Sequence, residues 1–166
     1  MLSESDISKF ENTIGYCFND KALLVQAFTH SSFVNEQKIN KKPDYERLEF
    51  LGDAVLEMIS SEYLYKKYPD KKEGEMSKIR ASLVCEPALA FDAEKLDIRY
   101  YMQLGKGEEA TGGRNKESII ADMVEAVIGA LFLDSGIEEA KKFIYSYVLT
   151  NEESMQMFSD SKSILQ

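Results

Sequence analysis

Glu46, Glu49 and Asp53 stand at i, i+3 and i+7 within Glu46-Arg47-Leu48-Glu49-Phe50-Leu51-Gly52-Asp53-Ala54-Val55-Leu56, an otherwise apolar run of helical periodicity. That spacing puts three acids on one helix face. A second run from Ile119 to Ile128 carries Asp122 and Glu125 at i and i+3 in a still more apolar setting. Desolvating an unpartnered carboxylate is costly or shifts its pKa until it neutralises, so two such helices suggest acids converging on a shared divalent cation. Mg²⁺ takes oxygen ligands in near-octahedral geometry and keeps several waters, so a few carboxylates plus a substrate phosphate make a typical site. Glu49, Asp53, Asp122 and Glu125 fit that need, with consecutive acids on each helix one turn apart. A cation held this way activates water, stabilises charge on a phosphoryl oxygen and assists a leaving oxygen, which is the chemistry of phosphodiester hydrolysis.

Other uses of these residues are weighed beside that one. Glu57, Glu62, Glu138 and Glu139 read as a solvated face. The acidic pairs could instead be bound by Arg47, Arg80 or Arg114. The lone His30, in Phe28-Thr29-His30-Ser31-Ser32-Phe33, reads as a hydrogen-bonding residue at a helix end rather than a catalytic base. Gly52, next to Asp53, offers a place where another helix or a substrate backbone can come close.

The elements that must position these acids are helical throughout, because apolar residues recur at three and four and there are only 3 prolines and 9 glycines to interrupt them. Asp20 is the expected N-cap of a helix that carries Leu23, Leu24, Ala27 and Phe28. Lys38 to Pro43 is a basic connection ending at a capping Asp44. The first acidic helix then runs from about Tyr45 to Tyr68, closed by Pro69. A further helix is expected from about Gly74, with Pro87 marking a break or a new first turn. Leu104 to Arg114 holds four glycines among charges and reads as a loop. Asn115 or Lys116 opens the second acidic helix, Asp134-Ser135-Gly136 ends it, and Ile137 to Val148 forms another amphipathic helix.

A chain of 166 residues with 44% hydrophobic content suits one domain with an ample core. No apolar run approaches the ~20 residues of a membrane span, and the first residues lack the pattern of a signal peptide, so a cytoplasmic protein without a membrane partner is expected. Cys17 and Cys85 have no metal-ligand spacing and are expected to be reduced core thiols. The net charge of −9 taken alone argues against nucleic acid as a partner. Bound cations weaken that objection, since each replaces local negative charge with a bridge to phosphate.

The eleven residues from Glu46 to Leu56 resemble the signature of the ribonuclease III catalytic domain. Supporting blocks come in the same order: Thr29-His30-Ser31-Ser32, then Glu73-Gly74 with Met76-Ser77 and Arg80-Ala81, then Lys116-Glu117-Ser118-Ile119 with Ala121-Asp122 and Val124-Glu125-Ala126. A signature plus three ordered blocks is far more specific than one short motif. The resemblance implies an all-α, homodimeric endonuclease domain. It implies Glu49, Asp53, Asp122 and Glu125 as metal-binding acids, with Asp53 and Glu125 most directly tied to catalysis. Glu46 and Glu73 match accessory acids, placed in the cleft or near a subunit interface. Phe50 matches an aromatic that in the family enters a pocket of the partner subunit.

The implied activity is Mg²⁺-dependent hydrolysis of double-stranded RNA, with Mn²⁺ as a substitute, leaving 5′ phosphates, 3′ hydroxyls and two-nucleotide 3′ overhangs, with rRNA and mRNA processing as the implied use. A-form RNA hides its bases in a deep groove, so recognition would rest on shape, phosphates and 2′-hydroxyls. Lys71, Lys72, Lys78, Arg80, Arg114 and Lys116 flank the acidic helices and are the expected phosphate contacts. The resemblance places the catalytic domain at residues 1–150. Residues 151–166 are expected to be a linker and the start of a double-stranded-RNA-binding domain that is otherwise missing. Two other functions stay open: a catalytically inactive dimerisation module of the same fold, and a different metal-dependent phosphoesterase.

Overall fold

Ser3 opens the first helix with reciprocal hydrogen bonds. Its Oγ accepts from the Asp6 N–H at 3.1 Å while the Asp6 carboxylate accepts from the Ser3 N–H at 3.0 Å, a capping box that satisfies two otherwise orphaned donors. The computed structural model describes residues 1–152; most of the expected linker therefore lies outside the described residues. In chain order the helices are α1 (Glu4–Ile14), α2 (Lys21–Ala27), α3 (Ser31–Asn35), α4 (Glu46–Lys67), α5 (Glu73–Val84), α6 (Glu86–Asp92), α7 (Ile98–Tyr101), α8 (Lys106–Ala110), α9 (Glu117–Ser135) and α10 (Ile137–Tyr147), with short 3₁₀ turns between some of them. No strand occurs among the described residues, only an isolated bridge between Thr29 and Gln103. The expected all-α architecture is the one observed.

Helix α9 is the centre of the molecule. Ile119, Ile120, Ala121, Met123, Val124, Ala126, Val127, Ile128, Gly129, Ala130 and Leu131 are all buried, the behaviour of a helix apolar on every side. Helices α2, α4, α6, α7 and α10 pack around it. Phe10, Phe28 and Tyr101 close one end, with ring centroids 5.0–5.3 Å apart, and so hold α1 against the segment that leads into the acidic helix.

The crossing of α4 and α9 is unusually close. A Cβ on Gly52 would lie 1.7 Å from the Glu125 carbonyl oxygen, and one on Gly129 would lie 2.3 Å from that of Leu48. Only glycine lets two helix backbones meet at that distance. The close approach expected at Gly52 is thus made by another helix, and its partner Gly129 had no counterpart in the sequence reading.

Several local expectations need correction. Asp44 is not the N-cap itself: Tyr45 takes that place, and Asp44 Oδ1 accepts the Glu46 N–H at 2.9 Å from one residue further out. The glycine-dense stretch from Leu104 to Arg114 is not all loop. It contains α8, held by the Thr111 N–H donating to the Gly107 carbonyl at 3.1 Å, because its glycines flank or open short turns rather than interrupt a long one. Cys17 and Cys85 are exposed, not core thiols; both sit at the ends of elements, where the chain turns at the surface. Among the described residues, no helix is long and apolar enough to cross a membrane.

Candidate metal centre

The Gly52–Gly129 crossing brings the acidic faces of α4 and α9 together. Glu49, Asp122 and Glu125 each present a carboxylate oxygen within 4.8 Å of the other two. All three are partly buried. Asp53, one turn beyond Glu49, is exposed and stands outside that mutual reach, but its carboxyl lies in hydrogen-bonding range of Glu125. Glu46, also exposed, adds its field to Glu49. Glu73 opens α5 at the surface, where the Ser77 hydroxyl donates to its Oε1 at 2.7 Å.

The electrostatics of the cluster are those of a site awaiting positive charge. Burial, then the neighbouring Asp122 and Asp53, push Glu49 up to about 7. Burial and the adjoining Asp53 push Glu125 up to about 9. Asp122 is raised by burial, against the opposing effect of hydrogen bonds from Tyr45 and Glu49. Desolvation and like charge act in the same direction here.

Structural acids elsewhere in the chain look different. Buried Glu11 holds Lys21 Nζ at 2.9 Å and the Phe18 N–H at 2.6 Å. Buried Glu152 holds Lys67 Nζ at 2.8 Å and the Tyr68 hydroxyl at 2.5 Å. Asp134 accepts from the Tyr16 hydroxyl and from the Asn19 and Asp20 N–H groups. No lysine or arginine pairs with Glu49, Asp122 or Glu125 among the described residues; the one basic side chain that acts on the cluster is His30, whose charge works against the rise of Asp122. Of the arginines considered as partners, Arg80 is engaged with Glu57 at 2.9 Å and Arg114 with Glu109 at 2.9 Å, while Arg47 is exposed beside the groove that Phe50 lines. A set of converging carboxylates without a lysine or arginine partner is the donor chemistry that a hard divalent cation takes, and it fits one here.

The remaining expected residues fall around this cluster. Arg80 also donates to Ser61 Oγ at 2.9 Å, tying α5 to α4. Arg114 Nη1 donates to the Arg99 and Met102 carbonyls, so much of its donor capacity is spent on the fold. Lys116 pairs with Glu108 at 2.7 Å and Lys71 lies 3.8 Å from Glu75, while Lys78 is exposed on α5. His30 acts as expected at a helix end: its Nδ1 accepts the Ser32 N–H at 3.1 Å and caps α3. Phe50 projects into solvent at 81% exposure, beside an apolar groove that also involves Leu23, Leu51 and Leu133.

One residue of the site had no place in the sequence reading. Tyr45 is buried and donates its hydroxyl hydrogen to Asp122 Oδ2 at 3.0 Å. A contact spanning 77 positions leaves no periodic trace; a tyrosine directly before the acidic helix was its sole sign.

Fold and site together define a helical architecture of the ribonuclease III type. A Ribonuclease-III-like family model matches residues 20–152, and the chain belongs to that family. It is 50% identical over 159 residues to Ribonuclease 3 of Bacillus cereus, covering 95% of this chain and 65% of that protein; Ribonuclease 3 of Bacillus anthracis matches to the same extent. The chain therefore spans about two thirds or slightly less of the length of the curated relatives it matches. A nuclease domain of ribonuclease III from Campylobacter jejuni, described with flexibility in its region of dimer formation, superposes with a TM-score of 0.80 at 42% identity, over 87% of this chain and 97% of that one. Dicer from Pichia stipitis shares the fold with a TM-score of 0.61 at 24% identity, over 85% of this chain and 59% of that one.

Proposed function

We propose that this chain is the catalytic portion of an endoribonuclease that hydrolyses phosphodiester bonds of double-stranded RNA with Mg²⁺, Mn²⁺ substituting, and that it works as a homodimer. The observation that carries this reading is the trio Glu49, Asp122 and Glu125 with carboxylate oxygens within 4.8 Å of one another, in a chain of this family. When bound, the divalent cation supplies positive charge to the phosphoryl oxygens and acidity to the attacking water.

The protein's own part is placement and charge. Glu49 and Asp122 would hold the cation from two helices that the glycine crossing already fixes, so the ligands need little reorganisation. Glu125 sits between that pair and Asp53; with its pKa raised towards 9, it retains a proton until a cation is present. Asp53 is exposed on the outer side of the cluster, positioned to meet the substrate. The products are 5′ phosphates and 3′ hydroxyls, with two-nucleotide 3′ overhangs from two such sites acting on opposite strands. Processing of structured rRNA and mRNA is the corresponding use.

The dimer reading rests on Phe50. Phe50, 81% exposed, and Leu133, 55% exposed, line one apolar groove with Leu23 and Leu51, a contiguous apolar surface of the kind that marks an interface and one suited to the same ring from a second copy, as a two-fold interface requires. Phosphate contacts fall to Lys78 and, where they exchange partners, Arg80, Arg114 and Lys116. Retention of all four acids disfavours an inactive dimerisation module, and the exposed Phe50 disfavours a monomeric phosphoesterase.

The test is incubation of the chain with a long labelled RNA duplex at low salt, with Mg²⁺ or with EDTA, beside Glu125→Gln. Short duplex products that vanish with EDTA and with the variant are expected. An intact duplex under Mg²⁺ and Mn²⁺ alike would sink the reading.

A further inference from the structure

We propose that Tyr45 is a positioning residue of the cation site: its hydroxyl fixes the Asp122 carboxylate and its backbone carbonyl fixes the turn that bears Glu49, so that ligands from two helices are set before a cation arrives. The inference rests on the cation-site reading above.

Tyr45 is 5% exposed and is itself firmly held. Its N–H donates to the Thr29 carbonyl at 2.8 Å. Thr29 is anchored in turn, since its hydroxyl oxygen accepts from Gln103 Nε2 at 2.9 Å, and the His30 N–H donates to the Gln103 carbonyl at 3.0 Å. The Tyr45 ring packs against the His30 ring with centroids 5.8 Å apart. From this mount the residue reaches both acidic helices. Its carbonyl accepts the Glu49 N–H at 2.9 Å, and its hydroxyl donates to Asp122 Oδ2 at 3.0 Å.

One phenolic hydrogen occupies only one of the roughly four lone-pair positions of a carboxylate, so Asp122 keeps acceptor capacity for a cation beside its bond to Tyr45. Groups that orient a metal ligand in this way typically contribute 10–100-fold to metal affinity. A buried tyrosine hydroxyl needs a partner in any case, so a purely structural role is the competing account, and cation affinity separates the two.

The experiment is Mn²⁺ binding to the whole chain without RNA, followed by electron paramagnetic resonance, for wild type, Tyr45→Phe and a variant with 4-aminophenylalanine at position 45, which keeps an N–H donor on the same ring. Melting in EDTA accompanies each. Tyr45→Phe is expected to weaken Mn²⁺ binding by about tenfold, with the aminophenyl variant between it and wild type. Cleavage by Tyr45→Phe should fall at limiting Mg²⁺ and recover at saturating Mg²⁺. Equal Mn²⁺ affinity in all three overturns the proposal, whatever the melting temperatures do. If wild type itself binds no Mn²⁺, the cation-site reading fails first and this inference falls with it.

Discussion

Gly52 lies directly against the backbone carbonyl of Glu125, where an added Cβ would sit 1.7 Å from the oxygen. The helix crossing and the acidic cluster are therefore one feature. Any residue larger than glycine must separate α4 from α9, and with them Glu49 from Asp122 and Glu125. Gly52→Ala and Gly129→Ala are expected to destabilise the chain by about 1–3 kcal/mol or more and to weaken cation binding together with stability. Gly74→Ala, at a helical position with nothing within 4 Å of the new Cβ, should be neutral or stabilising. Chemical denaturation of the three variants checks this; equal midpoints would show that the crossing relaxes at no cost.

The same cluster sets a pH dependence. Glu49 and Glu125 move from an ordinary 4.5 up to about 7 and about 9, so the cation-free folded state holds more protons than the unfolded chain across that window. Stability then falls as pH rises. The Glu49 contribution is lost between about 4.5 and 7 and that of Glu125 between about 4.5 and 9, in steps shared by the coupled cluster. Glu125→Gln removes the cost of keeping Glu125 protonated at a pH where the unfolded chain would ionise it. In EDTA at pH 8 it is expected to melt about 2–4 °C above wild type, the shift that ~1 kcal/mol produces in a domain of this size, while losing cleavage. The gap should close near pH 5. A variant that melts lower than wild type at pH 8 would contradict the raised pKa of Glu125.

Cation binding should displace those protons. Above pH 5 but below about 9, Mg²⁺ or Mn²⁺ has to compete with hydrogen ions held on Glu49 and Glu125, so affinity should rise with pH and binding should release protons. Titration calorimetry in two buffers of different ionisation enthalpy measures the release. Identical heats in both would show that the carboxylates are already ionised.

Much of this architecture can be read before folding is considered. Helices α4 and α9 announce themselves by period, and their acids are anomalous because the surrounding residues are apolar. Gly52 is visible as a small residue beside an acid. What escapes is whatever depends on two distant segments meeting: Gly129 as the other half of the crossing, and Tyr45 as the donor to Asp122. Surface partners escape for the same reason. Arg114 and Lys116 look free in sequence, yet they are tied to Glu109 and Glu108, and no local pattern distinguishes a paired lysine from an unpaired one.

Those pairings divide the basic residues into two kinds. Arg114→Ala removes hydrogen bonds to the Arg99 and Met102 carbonyls as well as the Glu109 pair. Leaving such carbonyls without a donor costs about 1–3 kcal/mol each where water cannot replace it. A stability loss of that order is expected. Lys78→Ala, on an exposed face, should leave melting unchanged while weakening duplex binding and reducing its salt dependence by about one counterion. Melting curves beside a salt titration of RNA affinity separate the roles; a destabilised Lys78→Ala would remove the distinction.

Phe50 tests the assembly. Its ring is 81% exposed, so replacing it with a polar residue relieves rather than harms an isolated subunit, and a core substitution would do the reverse. Phe50→Asp is expected to keep the melting of the monomer, to sediment at about half the wild-type mass, and to lose most cleavage of both strands at one position. The substitution removes the aromatic anchor and puts a charge against the leucines Leu23, Leu51 and Leu133 that line the groove of the second copy. Sedimentation equilibrium gives the decisive reading: a wild-type chain that is monomeric at micromolar concentration, or a Phe50→Asp chain that stays dimeric, removes Phe50 from any interface and leaves its exposure to be explained by RNA.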